Sequence, residues 1–327
     1  MYKLYNGDCL SIFKDIEDKS VNLVLIDPPY NIGKDKKWDK WKTVNEYVEF
    51  MGKVFKECQR VLKDNGSFYF FHNDFLQIVE LQNYINNNTD FVFKQLLVWN
   101  KRYNGSPRKY YFDNVIAGNT NRNHRQLSEY CLYYTFQDET GLNKILKQDG
   151  FLKLMNYFRE ERLKLGWNYK QCDDYLGIKA SYCYWDKPTT HPYRIPDENH
   201  YFKLQKTGYF KRTYEDLRQE YEDLRQEYEE LRYTFNNQKT HHDVLDFEVA
   251  KKQGHITPKP VDLLEYIIKT SSNECDIILD CFMGSGSTGV ACMNTNRKFI
   301  GIELDNNYFN IAKQRIEEAY NKETQKV

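Results

Sequence analysis

The sequence predicts an α/β fold, and three observations carry that expectation. Strand-like and helix-like patterns alternate at both ends of the chain, a glycine-rich turn joins a strand to a helix near the C-terminus, and the stretch between them loses the alternation. At 327 residues the chain has room for two domains, or for one large domain with an insertion, and it can bury a core without disulfide or metal staples.

In the N-terminal block, Val21–Ile26 reads as a buried strand, Val44–Leu62 as an amphipathic helix, Ser67–Phe71 as a strand and Phe75–Ile85 as a helix. Phe91–Trp99 and Ser128–Phe136 read as further strands. The segment Lys94–Arg125 stands apart. Lys94, Lys101, Arg102, Arg108, Lys109, Arg122 and Arg125 face a single acid, Asp113, and are interleaved with Tyr103, Tyr110 and Tyr111. This is either a solvated loop or a phosphate-tracking surface with aromatic faces for bases.

From Phe151 to Lys206 the spacing is helical. A helix over Phe151–Leu165 stops at Gly166, a second over Asn168–Leu176 ends at Gly177, and Ala180–Trp185 begins a third, an order that invites a helix-turn-helix reading. If this insert reads bases, Lys179, Ser181, Tyr182 and Tyr184 are the candidates for the major groove. A structural helical insert packed on the sheet is the alternative.

Three copies of a seven-residue unit then start at Tyr214, Tyr221 and Tyr228, with Leu217, Leu224 and Leu231 three positions on. Three heptads are marginal for an autonomous coiled coil, so the expectation is a solvent-edged helix that packs one seam on its own protein. Tyr233–Gly254 reads as a polar linker. The α/β rhythm returns with helix Val261–Thr270, strand Asp276–Cys281, helix Ser287–Asn296, strand Lys298–Ile302 and helix Asn307–Tyr320.

Composition narrows the function classes. Forty-seven basic side chains balance forty-seven acidic ones, which excludes a globally basic nucleic-acid coat and an acidic mimic while leaving room for a local basic face. Apolar runs such as Val21–Ile26 and Ile277–Leu279 fall far short of the roughly 18 residues of a membrane span. The N-terminal twenty residues carry neither an apolar signal core nor a cleavage site, so a cytoplasmic chain with no membrane partner is expected. Cys9, Cys58, Cys131, Cys172, Cys183, Cys275, Cys281 and Cys292 form no C-x-x-C pair, which points to reduced thiols and to no bound metal.

Two motifs carry chemistry. Asp280-Cys281-Phe282-Met283-Gly284-Ser285-Gly286-Ser287-Thr288-Gly289 follows a strand and opens a helix, matching G-x-G-x-x-G, and Glu303 at the end of the next strand is placed to accept from ribose hydroxyls. Taken alone, this fits NAD, another adenosine cofactor or a bare tight turn. Too few residues follow Gly289 for an unpermuted dinucleotide fold, so the rest of the sheet must come from the N-terminal block. There, Asp27-Pro28-Pro29-Tyr30 follows the strand ending at Ile26. The two prolines force the chain out of the sheet and leave Asp27 and Tyr30 at its carboxyl edge. An acceptor carboxylate beside an aromatic face suits a planar base bearing an exocyclic amine.

With these motifs the chain resembles the amino-group DNA methyltransferases that use S-adenosylmethionine, specifically their β-ordered class. The resemblance covers Leu4–Phe136 and His255–Glu317. It runs through Asn6-Gly7-Asp8, Asp27-Pro28-Pro29-Tyr30, Arg60-Val61-Leu62-Lys63-x-x-Gly66, Pro258-Lys259-Pro260-x-x-Leu263, the Asp280–Thr288 turn and Gly301-Ile302-Glu303-Leu304-Asp305.

The resemblance implies a circularly permuted Rossmann-like methyltransferase fold with a seven-stranded, mostly parallel sheet. Its parts are a catalytic half at 1–140, a helical target-recognition insertion at 141–212, the heptad helix and linker at 213–254, and a cofactor half at 255–327. It further implies that Asp27 and the Pro28 carbonyl accept the two N6 hydrogens of a flipped-out adenine, with Pro29 completing the motif and Tyr30 stacking on the base. Methyl transfer is then a direct displacement. Asp8 would bind the cofactor adenine amine and Glu303 the ribose. Gly284 and Gly286 would admit the methionine end, and Lys259 and Thr288 would meet its carboxylate. Phe282 would face the sulfonium, and Pro258, Asp280, Ser285, Ser287 and Asp305 complete the cofactor set.

Lys101, Arg102, Arg108, Lys109, Arg122 and Arg125 would contact DNA phosphates. Relatives acting on cytosine N4 commonly carry Ser where this chain has Asp27, which favours adenine. Relatives acting on RNA or on a glutamine side chain usually carry Asn there, and a non-catalytic DNA-binding regulator would need neither motif. The implied partner is double-stranded DNA. The implied setting is a bacterial or phage-borne enzyme, either solitary or paired with a restriction endonuclease, and relatives in this class are often dimers.

Overall fold

The computed structural model describes residues 1–33, 41–102, 128–136, 151–179, 181–185, 193–231, 233–236, 242–250 and 258–324. The chain divides into two compact units, one of Met1–Phe136 with Tyr233–Val327 and one of Gln137–Arg232.

The first unit is built on a sheet of eight strands among the described residues: β1 (Tyr2–Asn6), β2 (Val21–Ile26), β3 (Leu62–His72), β4 (Val92–Arg102), β5 (Ser128–Thr135), β6 (Val244–Glu248), β7 (Ile277–Asp280) and β8 (Lys298–Glu303), in the order β1-β8-β7-β2-β3-β5-β4-β6. The first five strands of that order run parallel, β5 is antiparallel to both β3 and β4, and β6 lies parallel to β4. Strand β2 is apolar at nearly every position because both its faces are covered, as parallel strands require. On one face, Val24, Ile26, Phe68, Phe70 and Leu279 pack under helix α2 (Val44–Val61) and helix α3 (Phe75–Asn88). On the other, Leu23, Leu25, Tyr69, Phe71 and Ile278 join residues of the three C-terminal helices. A short helix α1 (Cys9–Ile12) follows β1.

The C-terminal block enters the sheet next to the N-terminal strand. Leu23 pairs with Ile278 and Val24 with Leu279, so β2 and β7 are neighbours although they lie at opposite ends of the chain. This is the permuted order expected from the sequence. Two expectations need correction. The sheet has one strand more than seven, and that strand, β6, lies within the stretch read as a polar linker. Leu245 is buried and Phe247 half-buried while the residues around them are exposed, so β6 is an edge strand with only two inward side chains to signal it.

In the second unit, α4 (Leu152–Leu165), α5 (Tyr169–Leu176), α6 (Tyr182–Trp185), α7 (Glu198–Gln205) and α8 (Tyr214–Leu231) surround a core of Leu154, Phe158, Trp185, Tyr193, Tyr201 and Leu217. Gly166 and Gly177 end α4 and α5 in the left-handed conformation, and Asn168 opens α5 with a capping box to Gln171. Helix α8 is the heptad repeat. Leu217 is fully buried, with Tyr214, Tyr221 and Leu224 beside it, so this helix spends its seam on the core of its own unit and does not stand apart with a linker.

The last helices of the first unit, α9 (Val261–Ser271), α10 (Ser287–Asn294) and α11 (Asn306–Thr324), fix the glycine turn from behind. Gly286 has φ +81°, and a Cβ there would lie 2.9 Å from the Ala312 backbone; one on Gly289 would meet Ile316 at 2.4 Å and Phe299 at 2.8 Å. Among the described residues no helix is long and apolar enough to cross a membrane. Because Ile316 and Phe299 are buried and cannot retreat, Gly289→Ala is expected to destabilise the protein by about 1–3 kcal/mol through overpacking, read as a lower urea midpoint at unchanged slope. An unchanged midpoint would contradict the close α10–α11 packing.

Candidate active site

Four parallel strands end side by side at one edge of the sheet. Asn6 of β1 pairs with Glu303 of β8, β8 pairs with β7, and β7 pairs with β2, so Asp8, Glu303, the Asp280–Gly289 turn and Asp27 follow one another along the carboxyl edge. That edge is where open α/β sheets hold ligands. Because β5 runs the other way, its first residues reach the same edge, and Glu129 there pairs with Trp99 of β4, two residues before Lys101.

The Asp27-Pro28-Pro29-Tyr30 corner is held from behind. The Tyr47 hydroxyl on α2 donates to the Pro29 carbonyl at 2.8 Å and pairs with His72 Nε2 at 3.1 Å. The His72 ring, on β3, lies 4.8 Å from the Tyr30 ring. Pro28 and Tyr30 are buried, while Asp27 and Pro29 are half-exposed. In this arrangement the Tyr30 ring is packed inside the corner, with its hydroxyl bonded to both Asp27 and Glu129.

Lys259 is the centre of a buried charge cluster. Its Nζ lies 2.5 Å from Asp27 Oδ2, 2.8 Å from Glu129 Oε1 and 3.1 Å from the Tyr30 hydroxyl, and only 7% of the residue is exposed. It also sits over the rings of Phe71 and Tyr30, at 4.9 and 5.5 Å. The second oxygen of Glu129 pairs with Lys101. Burial works against the Glu129 and Lys259 charges, yet the partners win. Lys101 and Lys259 hold the Glu129 carboxyl well below the usual carboxylate range, and Asp27 and Glu129 raise the Lys259 ammonium. Burial and the two carboxylates push the Tyr30 phenol far up, so it stays protonated.

Two of these placements differ from the expectation. Lys259 was expected to meet a cofactor carboxylate, and its ammonium is instead engaged by Asp27 and Glu129. Lys101 was expected to contact DNA phosphate, and its ammonium instead neutralises Glu129, because a buried carboxylate needs a cation more than solvent does. Glu129 itself was missed. Its signal was slight: one acid in the strand Ser128–Thr135, on the same face as the buried Cys131 and Tyr133.

At the other half of the edge, Asp280 accepts from the Phe282 N–H at 3.0 Å and from the Thr288 hydroxyl at 2.6 Å, bracing the turn across its base. Thr288, expected to face a carboxylate, is committed to this brace. Glu303 accepts from the Gly284 N–H at 2.9 Å and the Asp305 N–H at 2.8 Å. Arg315 on α11 reaches the Ser285 hydroxyl at 3.0 Å. The Ser287 hydroxyl is buried with no partner among the described residues. Phe282 is half-buried, 6.4 Å from Phe50. Asp8 caps α1 through one oxygen, which takes the Ser11 N–H and hydroxyl at 2.9 Å, and it is otherwise exposed. Pro258 and Lys259 lead into α9.

The candidates for DNA contact divide. Arg108, Lys109, Arg122 and Arg125 lie outside the described residues, as does the side chain of Arg102. In the helical unit Lys179 and Tyr182 are exposed and Tyr184 is half-buried. Ser181 is a correction. It is fully buried, its N–H donates to Asp173 at 2.7 Å and its hydroxyl to the Tyr169 carbonyl at 3.4 Å, so it locks α5 to α6 and is not available to a base edge.

Burial pushes the Asp280 carboxyl up to about 7, ahead of the hydrogen bonds from Thr288 and Phe282 that act the other way. In the unfolded chain an Asp titrates near 4. Between those values the folded state keeps a proton that the unfolded state has released, so stability is whole below pH about 4 and is lost as pH rises to 7, by up to about 4 kcal/mol. Asp280→Asn is therefore expected to match the parent in urea at pH about 4 and to gain on it by pH about 7.5. A difference between the two that does not change with pH would contradict this account.

Comparison with known proteins agrees with this geometry. The family model described as DNA methylase, of the N6/N4 type, matches residues 21–314. Among curated proteins the chain is 27% identical to the Type II methyltransferase M1.MboII of Moraxella bovis, covering 95% of this chain and 94% of that protein. It is 26% identical to the DNA adenine methyltransferase YhdJ of Escherichia coli (strain K12), covering 97% and 83%. Among solved structures it is similar in fold to the M1.HpyAVI–SAM complex, with a TM-score of 0.51 at 22% identity over 96% of this chain and all of that one. It is similar also to the cytosine-N4-specific PvuII DNA methyltransferase, with a TM-score of 0.55 at 14% identity over 99% and 94%. A carboxylate corner and a glycine turn on adjacent strands of a permuted sheet, together with a family match spanning nearly the whole chain, place this protein in the N6/N4 DNA methylase family.

Proposed function

We propose that the chain is a site-specific DNA methyltransferase that modifies N6 of adenine and uses S-adenosylmethionine. The observation that carries the reading is the meeting of Asp27 with the Asp280–Gly289 turn at the ends of neighbouring paired strands, where burial raises the Asp280 carboxyl and the Asp27 charge adds to it. The naming of one relative as a DNA adenine methyltransferase supports the choice of adenine, and the names of Type II relatives support a restriction–modification setting. The crystallised complex of M1.HpyAVI with SAM supports the cofactor.

The residues present fit that cofactor. The Ser287 hydroxyl at the start of α10, buried and without a partner among the described residues, is a polar group that a ligand can satisfy. Glu303 is pinned by two backbone N–H groups yet keeps lone pairs for ribose hydroxyls. Asp8 is exposed and uses only one oxygen in its cap, which leaves the other for an adenine amine; Gly284, Ser285 and Gly286 belong to the turn after β7, Asp305 follows β8, and Pro258 precedes Lys259. When bound, S-adenosylmethionine supplies an electrophilic methyl group on a cationic sulfur.

The protein's own residues do the rest. An exocyclic amine is a poor nucleophile because its lone pair is delocalised into the ring. Asp27 and the Pro28 carbonyl accept its two hydrogens and favour a pyramidal nitrogen. Their contribution is alignment and electrostatics, with no covalent bond to the enzyme. The target base is flipped out of duplex DNA to reach them. Access of a base to the Tyr30 face requires the packed Tyr30–His72 corner to present that face on binding. Lys179 and Tyr182 are the exposed candidates for contact with DNA in the helical unit.

Incubation with labelled S-adenosylmethionine and plasmid, followed by digestion to nucleosides, is expected to place label in N6-methyl-2′-deoxyadenosine. Label in N4-methyl-2′-deoxycytidine would replace the substrate assignment. Asp27→Ala is expected to lower transfer about 100-fold or more, the scale of deleting one aligned hydrogen-bonding group, while cofactor affinity by calorimetry stays within about threefold. Loss of transfer and cofactor binding together would show that the two halves of the site are misassigned.

A further inference from the structure

Glu129 is the buried acid that the roles above leave unused. It is 4% exposed, it lies on β5 where no motif of the family resemblance reaches, and it spends both oxygens on the site: one on Lys259 and Tyr30, the other on Lys101. A carboxylate this deep is costly unless its partners need it. Two of its three partners are the groups that hold Asp27, since Tyr30 takes one Asp27 oxygen and Lys259 the other.

We propose that Glu129 is a positioning residue for the amine-accepting carboxylate: by sharing the Lys259 ammonium and the Tyr30 hydroxyl with Asp27, it fixes the orientation of Asp27 and the charge around it. This rests on the reading of Asp27 as the group that accepts the substrate amine. Asp27 and Glu129 balance Lys101 and Lys259, so the cluster is neutral. Its other titratable neighbours are Tyr30 and Cys131, both held neutral by burial, His72 against the Tyr30 ring, and Asp280, which burial pushes up to about 7 and which feels the Asp27 charge.

Neutrality matters because an amine nitrogen that gains a fourth bond becomes positive. A site carrying one uncompensated positive charge opposes that change. Without the Glu129 charge, two ammoniums would face one carboxylate. Lys259 would collapse onto Asp27, and Lys101 would lose its anchor. Asp27 would still be present but would be a weaker acceptor. The cost would fall on the chemical step and not on the binding of DNA or cofactor, because the cluster is buried beneath the corner.

The test compares the full chain with Glu129→Gln and with the double variant Glu129→Gln/Lys101→Met, which removes one charge of each sign and restores neutrality. Gln keeps an acceptor oxygen for Lys259 and Tyr30. The single variant is expected to lose about 10- to 100-fold in kcat, the effect of one unit charge several ångströms away in a protein interior, with KM for DNA and cofactor affinity within about threefold. The double variant is expected to return to within about fivefold of the parent. A single variant with parental kcat would overturn the proposal, as would a double variant that binds cofactor but is no faster than the single. A role in folding alone would lower cofactor binding in step with kcat and would not be rescued by removing a second charge. If the parent labels N4 of cytosine, the adenine reading fails while the Glu129 comparison stands, because the ratio is taken within one product.

Discussion

The Lys259 ammonium ties the two ends of the chain together. It enters from the C-terminal block, just before α9, and is buried against Asp27 of the N-terminal block and Glu129 of β5. A lone ammonium at that depth would lose its charge or its place. Two carboxylates, a phenol and two aromatic faces keep it protonated and fixed. Breaking any one of these contacts leaves a buried charge short of a partner, which costs far more than the contact contributes when whole. The functional edge therefore exists only in the closed, permuted arrangement of the sheet.

That sheet can afford a charged edge because its middle is apolar on both faces. Leu23 and Leu25 point one way and Val24 and Ile26 the other, each into a separate aromatic-rich core. Strands so covered do not slip, since a shift of one residue would exchange the two faces throughout. The register Val24 to Leu279 and Asn6 to Glu303 is thereby pinned from below, and the loops above inherit their alignment. The glycine turn gains its rigidity in the same way. Gly286 and Gly289 let α10 come down onto Ala312, Ile316 and Phe299, while the Asp280–Thr288 bond braces the base of the turn and Glu303 holds the Gly284 N–H.

Much of this was legible in the chain. The alternation around Val21–Ile26, the break at Pro28-Pro29 and the spacing of Gly284, Gly286 and Gly289 are local patterns with local causes, and the elements they predict are present. The heptads of α8 also foretold a buried seam, of which Leu217 is the deepest member. What escaped were features whose signal is diluted or non-local. Strand β6 offers only Leu245 and Phe247 within a polar stretch. Ser181 looked like an exposed recognition residue because nothing in its neighbourhood announces the Asp173 carboxylate that binds its N–H. Lys101 looked like one more cation in a basic run.

The sequence by itself determined the chemistry available: an acid beside twin prolines, a strand–glycine–helix turn and an acid one strand further on, each specified within a few residues by backbone constraint. Tertiary structure alone decided which charges answer one another. Glu129, Lys101 and Lys259 come from β5, β4 and the lead into α9, and nothing in their spacing relates them. They meet because β5 runs antiparallel between β3 and β4, bringing its first residues to the carboxyl edge of the parallel strands. Once there, the cost of an unpaired charge away from water selects their partners.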